Sequence, residues 1–258
     1  MPGLINLHVH LAGNGKPSAK PRDNAALVRK ILSNGLTRAV AYRLVCSYAK
    51  LELLGGVTTI RTVGGIADFD TRCRDDSAAG KVLAPRILAA NEGISVPGGH
   101  MAGSVAVAAH NNAEALAQLE KASAQKVDLV KLMITGGVLD AEVVGEPGVL
   151  RMPVEVATAA CKAAHDMGLP VMAHVESTEG VKAALEAGVD TIEHGAPLTP
   201  EILELYRGAA GTQLEGRAPS VTCTISPALP FVLLDPEKTH STDTQKKNGD
   251  IVCSGIIE

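Results

Sequence analysis

Short apolar strand patterns alternate with longer helical patterns along most of the 258-residue chain, and this alternation limits the fold more than any other feature. The apolar runs that read as strands are residues 4–11, 57–61, 86–90, 129–134, 171–174, 191–195 and 221–225. Helical patterns lie at 25–54, with a break near 34–35, and at 113–124, 153–167, 178–187 and 198–206, and a last helix begins near 251. Strands that alternate with helices form parallel βαβ units.

Two architectures fit this alternation, a doubly wound open sheet and a TIM-type (β/α)8 barrel. The candidate catalytic side chains are predicted near the C-terminal ends of the first, fourth, fifth and sixth strands. A barrel brings these ends around one mouth, whereas an open sheet spreads them along a line. No G-x-G-x-x-G motif follows the first strand, which argues against a dinucleotide-binding fold. We therefore predict an α/β fold, an incomplete (β/α)8 barrel with about seven strands present.

The composition excludes several classes of partner. Apolar residues make up 46% of the chain and charged residues 20%, and the net charge of −4 gives no basic face for nucleic acid. No apolar run approaches the ~20 residues of a membrane span, and no secretory signal is visible. The five cysteines are scattered and odd in number, which favours reduced thiols in the cytoplasm. We expect a cytoplasmic protein that acts on a small molecule, and a homo-oligomer stays open.

The first predicted strand carries two histidines two residues apart, His8 and His10. Positions i and i+2 of a strand point to the same face, so the two imidazoles project together. Such a pair can bind one transition-metal ion, with Zn–N distances of about 2.0–2.1 Å. A strand with two incidental histidines fits the motif as well, because short motifs give many false positives.

Lys131 lies in the middle of an apolar strand, where a lysine is rare unless it is paired. A lysine near a strand end that reaches solvent is the alternative interpretation. Burial lowers the pKa of a lysine and makes its amine nucleophilic. A neutral amine can react with carbon dioxide to give a carbamate, an anionic oxygen ligand that is able to bridge two metal ions.

Three further histidines follow predicted strands. His174 ends the fifth strand and His194 ends the sixth. Each alone is more often a core or surface histidine, but four histidines and a lysine at strand ends are hard to attribute to chance. His100, on a loop after the third strand, is a candidate for binding substrate or an intermediate. The other histidines have weaker claims, as packing or exposed residues: His110, His165 and His240.

Several motifs together resemble the amidohydrolase superfamily, and most closely its imidazolonepropionase-like and Xaa-Pro dipeptidase-like hydrolases. They are PGLINLHVHL at 2–11, GVTTIR at 56–61, VKLMITGG at 130–137, AH at 173–174 and IEHG at 192–195. The resemblance extends from residue 2 to about residue 230. The combination of motifs is specific, although HxH alone is not.

The resemblance implies a set of metal ligands. His8 and His10 would bind one metal ion. His174 and His194 would bind a second, with a carboxylated Lys131 bridging the two ions. It also implies a hydrolase of C–N bonds, in amides, cyclic amides or peptides, that works through a metal-bridging hydroxide.

The predicted catalytic residues are Lys131 and His194, which the resemblance implies, and His100, which is a candidate because of its position on the loop. The implied cofactors are two divalent metal ions, with zinc expected and manganese, iron or cobalt compatible with the ligands. Carbon dioxide is implied for carboxylation of the lysine.

Two departures from the family pattern affect this interpretation. Asn6 replaces a usual aspartate, and we expect only local hydrogen bonding to change. The family also has an aspartate at the end of strand eight, but no apolar strand that ends in aspartate follows Ile225, and Asp235 and Asp250 lie in polar segments. The family's small β domain is missing too. We therefore expect residues 1–258 to form a metal-dependent hydrolase barrel domain that is truncated at both ends, and to be poorly stable and inactive alone.

Two alternatives to this function stay open. The chain could be a catalytically inactive barrel that binds a metal or a ligand, because the strand-eight aspartate, which in the family takes a proton from the attacking water, is missing. It could also be a mononuclear deaminase of the same superfamily, although Lys131 argues against this, since those deaminases do not use a strand-four lysine bridge. The substrate is not readable from loops such as residues 140–151.

Overall fold

The computed structural model describes residues 1–14, 23–138, 141–224 and 242–257. Three predicted features lie outside these residues: Asp235, His240 and the end of the seventh strand at Ile225. None of the helices in the described residues combines the length and the apolar character needed to cross a membrane.

The described secondary structure follows the predicted alternation. The strands are β1 (Leu4–Val9), β2 (Val57–Thr62), β3 (Arg86–Leu88), β4 (Gly93–Ser95), β5 (Ala106–Ala108), β6 (Val130–Met133), β7 (Val171–Val175), β8 (Thr191–His194) and β9 (Ser220–Thr222). The α-helices are α1 (Asn24–Leu32), α2 (Gly35–Leu54), α3 (Phe69–Ala78), α4 (Asn112–Ala124), α5 (Val154–Asp166), α6 (Thr178–Ala187), α7 (Pro200–Gly208) and α8 (Asp243–Ile257). Short 3₁₀ helices cover Glu146–Gly148, Ala209–Thr212 and Leu214–Gly216.

Capping residues determine where many of the helices begin. A side-chain oxygen accepts a hydrogen bond from the backbone N–H three residues further on at each of five N-caps, which satisfies a donor that has no partner within the helix. These N-caps are Asp23, Asn34, Asn111, Ser177 and Thr199. Asn34 begins α2 where the long helical region was predicted to break. At the other end of α6, Gly188 adopts a φ of 95°, a conformation that favours glycine.

All the strand pairs are parallel, and they form two sheets, with the orders β1-β2-β3 and β5-β4-β6-β7-β8-β9. The sheets are continuous through the chain, because β3 pairs with β2 and β4, five residues further along the chain, pairs with β6. Between them Asn91 has a φ of 57°, and its carbonyl accepts the N–H of Gly65 at 2.8 Å. The chain therefore passes from one sheet to the other at a kink between β3 and β4, and the predicted incomplete barrel is confirmed.

Three clusters of buried apolar side chains form the core of the described residues, the smallest of them around Met172. The largest joins β4 and β6–β8 to α4–α6, and includes Leu119, Leu132 and Ile192, all 0% exposed. The second joins β1–β3 to α2 and α3, with Ile60 and Phe69 at its centre. Alanines dominate the buried faces of α5 and α6, so these helices pack closely against the sheet without aromatic side chains.

The structure also contains elements that the sequence pattern does not predict. Helix α3 was missed because its sequence, FDTRCRDDSA, is polar, and only Phe69 and Cys73 give it an apolar spacing of four. Strands β4 and β5 have three residues each, too short for an alternation to be visible. The last helix begins at Asp243 rather than near 251, and the third strand ends at Leu88 rather than residue 90.

Candidate active site

Five histidine rings lie together at one end of the barrel. The ring centroids of His8 and His10 are 5.4 Å apart, and those of His8 and His194 are 4.7 Å apart. His174 lies 4.7 Å from His194, and His100 stacks on His174 with centroids 3.9 Å apart and planes inclined by 11°. The structure thus brings together the four predicted histidine ligands and the loop histidine.

The ends of the strands place these rings. His8 lies on β1 and His10 directly follows it, while His174 is the fourth of five residues of β7. His194 ends β8 with a φ of 71°, which few residues other than glycine adopt, and Gly195 follows with a φ of 90°. Because all these strands are parallel, their C-terminal ends meet at one mouth.

The two histidines of the first strand have matching hydrogen bonds on the nitrogen nearer the backbone. Nδ1 of His10 donates to the carbonyl of Gly64 at 2.9 Å. Nδ1 of His8 donates a hydrogen bond to Oε2 of Glu193 at 2.7 Å. In both rings the described contacts leave Nε2, with its lone pair, as the nitrogen for a metal ion.

The other two histidines are also fixed by one hydrogen bond each, His174 through Nε2 and His194 through Nδ1. Nε2 of His174 donates to the carbonyl of Gly136 at 3.1 Å, which leaves Nδ1 for ligation. Nδ1 of His194 hydrogen-bonds Oγ1 of Thr224, which leaves Nε2. A metal-binding histidine usually has its second nitrogen held by such an outer partner, which fixes the orientation of the ring.

The four histidines are neutral in this environment. Burial lowers the pKa of His10 to about 4, and it also lowers the pKa values of His8, His174 and His194 well below the ordinary value for histidine. The charge of Lys131 lowers the pKa of each of the four as well. Neutral imidazole is the form that binds metal ions.

Lys131 is the second residue of β6 and only 1% exposed, so it lies within the strand and not at its end. Its Nζ has no hydrogen-bond partner among the described residues. Burial lowers its pKa to about 8, against the opposing effect of the carboxylates of Glu193 and Glu176. A buried ammonium without a hydrogen bond is costly, so this environment raises the fraction of neutral amine above that of an exposed lysine.

Two carboxylates at the site were missed in the sequence. Glu193 is 0% exposed and lies between His8 and Arg61, whose Nη2 donates to its Oε1 at 2.6 Å. Glu176 places Oε2 4.0 Å from Nε2 of His174. One ligand atom from each of His174, Glu176 and His194 lies within 4.8 Å of the others. A signal was available, because Glu193 is a charge in an apolar strand, as Lys131 is.

The position of His100 depends on a glycine. A Cβ atom on Gly137 would lie 2.3 Å from Nδ1 of His100, so no larger residue leaves room for the ring. His100 is 8% exposed and packs flat against His174 at the edge of the histidine cluster. It is therefore placed to contact a molecule bound beside the four other histidines.

The structure places the remaining predicted residues elsewhere. His165 contacts Asp190 at 2.9 Å, and His110 contacts Glu114 at 2.8 Å on the surface. Asn6 makes one local hydrogen bond, in which its Oδ1 accepts the N–H of His8 at 3.2 Å, and one long-range hydrogen bond, in which its Nδ2 donates to Glu52 on α2 at 3.4 Å. Asp250 lies on α8, whose Asn248 accepts from the N–H of residue 145 at 2.7 Å.

This donor set fits a pair of divalent metal ions. Four neutral imidazoles each have one nitrogen held and one available, and nitrogen ligands of this kind suit zinc, manganese, iron or cobalt. In the part of the chain that the structure describes, the amine of Lys131 has no hydrogen-bond partner, and a carbamate there would supply oxygen ligands.

Comparisons with known proteins give a match to one family model and to solved structures described as peptidases. A family model described as "Amidohydrolase family" matches residues 1–223. A protein from Bifidobacterium longum described as a candidate prolidase is 34% identical with a TM-score of 0.76, covering 100% of this chain and 55% of its own. A Xaa-Pro dipeptidase solved with methionine in its active site is 27% identical with a TM-score of 0.77, covering 99% and 61%.

A match to a relative in sequence shows how much of a longer protein this chain covers. An uncharacterized protein of Mycobacterium tuberculosis is 28% identical over 205 residues, which are 80% of this chain and 47% of the relative. The chain thus spans about half the length of that relative, and between half and two thirds of the length of the two solved proteins.

Proposed function

The chain belongs to the amidohydrolase family, and from this premise we propose that it carries the active site of a metal-dependent hydrolase that cleaves C–N bonds of small molecules. The observation that carries the proposal is the convergence of four histidines, each with one nitrogen held by an outer partner, around a buried lysine whose amine has no hydrogen-bond partner among the described residues. A structural core would not need this combination of groups.

Each ligand has a specific task. His8 and His10 would hold one divalent ion through Nε2, and His174 and His194 would hold a second. The neutral amine of Lys131 would add to the carbon of carbon dioxide: an N–C bond forms, one C=O π bond gives its electron pair to oxygen, and bicarbonate takes up the proton that leaves the nitrogen, which gives an anionic carbamate. Divalent ions bound there would polarise a substrate carbonyl and lower the pKa of a water molecule.

We propose dipeptides as the first substrates to test among amides, cyclic amides and peptides. Two of the similar solved structures are described as a candidate prolidase and as a Xaa-Pro dipeptidase, and both are more than 25% identical to this chain. His100 lies beside the proposed metal ligands and would contact the bound dipeptide.

Metal analysis of lysine variants tests the proposal. With bicarbonate present, we expect the protein to hold two metal equivalents, Lys131→Ala to lose at least one, and Lys131→Glu to recover part of the loss through its carboxylate. Lys162→Ala is the matched control, because Lys162 is exposed and pairs with Asp166 on the surface.

Unchanged occupancy in Lys131→Ala would show that the lysine is structural. Hydrolysis of Xaa-Pro dipeptides and N-acyl amino acids is measured on a full-length relative, because residues 1–258 are expected to be inactive alone. Two bound metals without turnover of any of these substrates in that relative would instead favour the ligand-binding barrel.

A further inference from the structure

We propose that Glu193, held in place by Arg61, is a positioning residue that directs Nε2 of His8 into the metal cavity. The proposal rests on the proposed function in one respect, that the cavity binds metal ions. Glu193 would touch neither metal nor substrate and would act through the ring of His8.

Both oxygens of the Glu193 carboxylate are engaged. Oε2 lies 2.7 Å from Nδ1 of His8 on β1, and Oε1 accepts from Nη2 of Arg61 on β2 at 2.6 Å. The side chain of Glu193 is 0% exposed, so water cannot replace either partner. The carboxylate thus links β8 to the strand that carries the first two ligands.

Arg61 fixes the carboxylate from the other side. Its Nε donates to the carbonyl of Leu7 at 2.8 Å, and its Nη2 also donates to Oγ1 of Thr222 on β9 at 2.9 Å. The planar guanidinium is therefore tied to β1, β8 and β9 at once. Glu193 cannot turn away from His8 without losing its charge-assisted bond to Arg61.

The two histidines of the first strand consequently have different outer partners. His10 donates to a neutral backbone carbonyl, whereas His8 donates to a carboxylate. A carboxylate partner fixes the tautomer and makes the opposite nitrogen a more basic ligand. A merely structural ion pair between Arg61 and Glu193 would brace the barrel but would not select which nitrogen of His8 carries the proton.

Two readouts distinguish a positioning role from a structural one. The first is the Zn²⁺ affinity of the 258-residue chain, measured by competition with a chromophoric chelator. The second is the tautomer of His8 in the metal-free protein, read from the ¹⁵N shifts of its side chain. Outer-shell partners of this kind typically change metal affinity by about 10–100-fold, which sets the expected size.

We expect Glu193→Ala to weaken Zn²⁺ binding by about 10–100-fold and to shift His8 from the Nδ1–H tautomer towards a mixture. Glu193→Gln keeps an acceptor oxygen for His8 but loses the charge, and should fall between Glu193→Ala and the wild type. Asp70→Asn is the matched control, a neutralised buried carboxylate whose neighbours are Gly65, Thr62 and Asn91, and it should keep the wild-type affinity within about twofold.

The outcomes separate the two proposals. Wild-type affinity and a retained Nδ1–H tautomer in folded Glu193 variants would overturn the positioning role. A wild-type protein that binds no Zn²⁺ would overturn the proposed function, while the tautomer measurement would still decide whether Glu193 controls His8. If Glu193→Ala does not fold, as judged by circular dichroism, Glu193→Gln and Arg61→Lys carry the test, and both should weaken Zn²⁺ binding.

Discussion

Replacing Asp70 by asparagine should make the free energy of unfolding fall less as the pH rises. Asp70 is 1% exposed on α3, and its carboxylate packs against the backbone of Gly65, so that a Cβ there would lie 2.5 Å from Oδ2. Burial raises the pKa of Asp70 to about 6, against a smaller lowering effect of the nearby Thr62 side chain and the backbone of Asn91. The folded protein therefore holds this proton more tightly than the unfolded chain does.

The size of the effect follows from the shift. The pKa rises from 3.8 in the unfolded chain to about 6 in the folded protein, and one pKa unit corresponds to about 1.4 kcal/mol. Between these values the folded state binds more protons, so the free energy of unfolding falls as the pH rises. The full loss is about 3 kcal/mol, of which about 2 kcal/mol lies between pH 4.5 and 7.

Asparagine has the same shape and does not titrate, so the comparison isolates this proton. Urea denaturation followed by circular dichroism at pH 4.5, 5.5 and 7 should show Asp70→Asn gaining about 2 kcal/mol relative to the wild type across the range. Its stability at any single pH also includes the cost of the new amide donors, so the pH dependence is the quantity to compare. A difference that stays constant with pH would refute the reasoning.

Three further predictions concern the site and the core. Gly137→Ala should displace the ring of His100 from His174 without changing the metal content, and retained stacking in histidine NMR spectra would contradict this. Leu119→Ala, at a position 0% exposed, should lower the free energy of unfolding by about 2–5 kcal/mol, whereas the exposed Glu120→Ala should change it by less than about 0.5 kcal/mol in the same urea titration. Removing metal with a chelator should lower the melting temperature of the wild type more than that of Lys131→Ala, and equal shifts would argue against the lysine bridge.

Much of the barrel was predictable because each parallel strand is marked by its own residues. Two such strands are short runs with β-branched residues that end in histidine, VMAH at 171–174 and TIEH at 191–194. A glycine directly follows the second run. Ser177 and Thr199 then begin the next helices. These signals are local, so the pattern of the chain is sufficient to locate them.

Elements whose stability depends on distant neighbours were missed. Strand β4 has only three residues, and it is recognised by its pairing of Ile94 with Leu132, 38 residues away in the sequence. Helix α3 buries Asp70 and Thr71 beside Phe69, so its burial pattern does not match an apolar stripe. In both cases the tertiary contact, and not the local sequence, determines the structure.

The site shows the same division. His8, Lys131, His174 and His194 could be placed together because parallel strands end at one mouth. The link between Glu193 and His8 joins residues 185 apart, and it depends on how β8 is staggered against β1 around the barrel. That arrangement depends on how all the strands curve around the incomplete barrel, so no local pattern could give it.

The charges in the cavity explain why Lys131, Arg61 and Glu193 belong together. A charged Lys131 and Arg61 would place two positive groups beside the histidines, opposed chiefly by Glu193. That balance disfavours divalent cations, because like charges repel strongly in a buried site. The proposed conversion of the lysine to a carbamate would change its charge from +1 to −1, so the cavity would attract cations while Arg61 still faces Glu193. Under that proposal, burial prepares the lysine for this conversion, because it raises the neutral fraction of the amine.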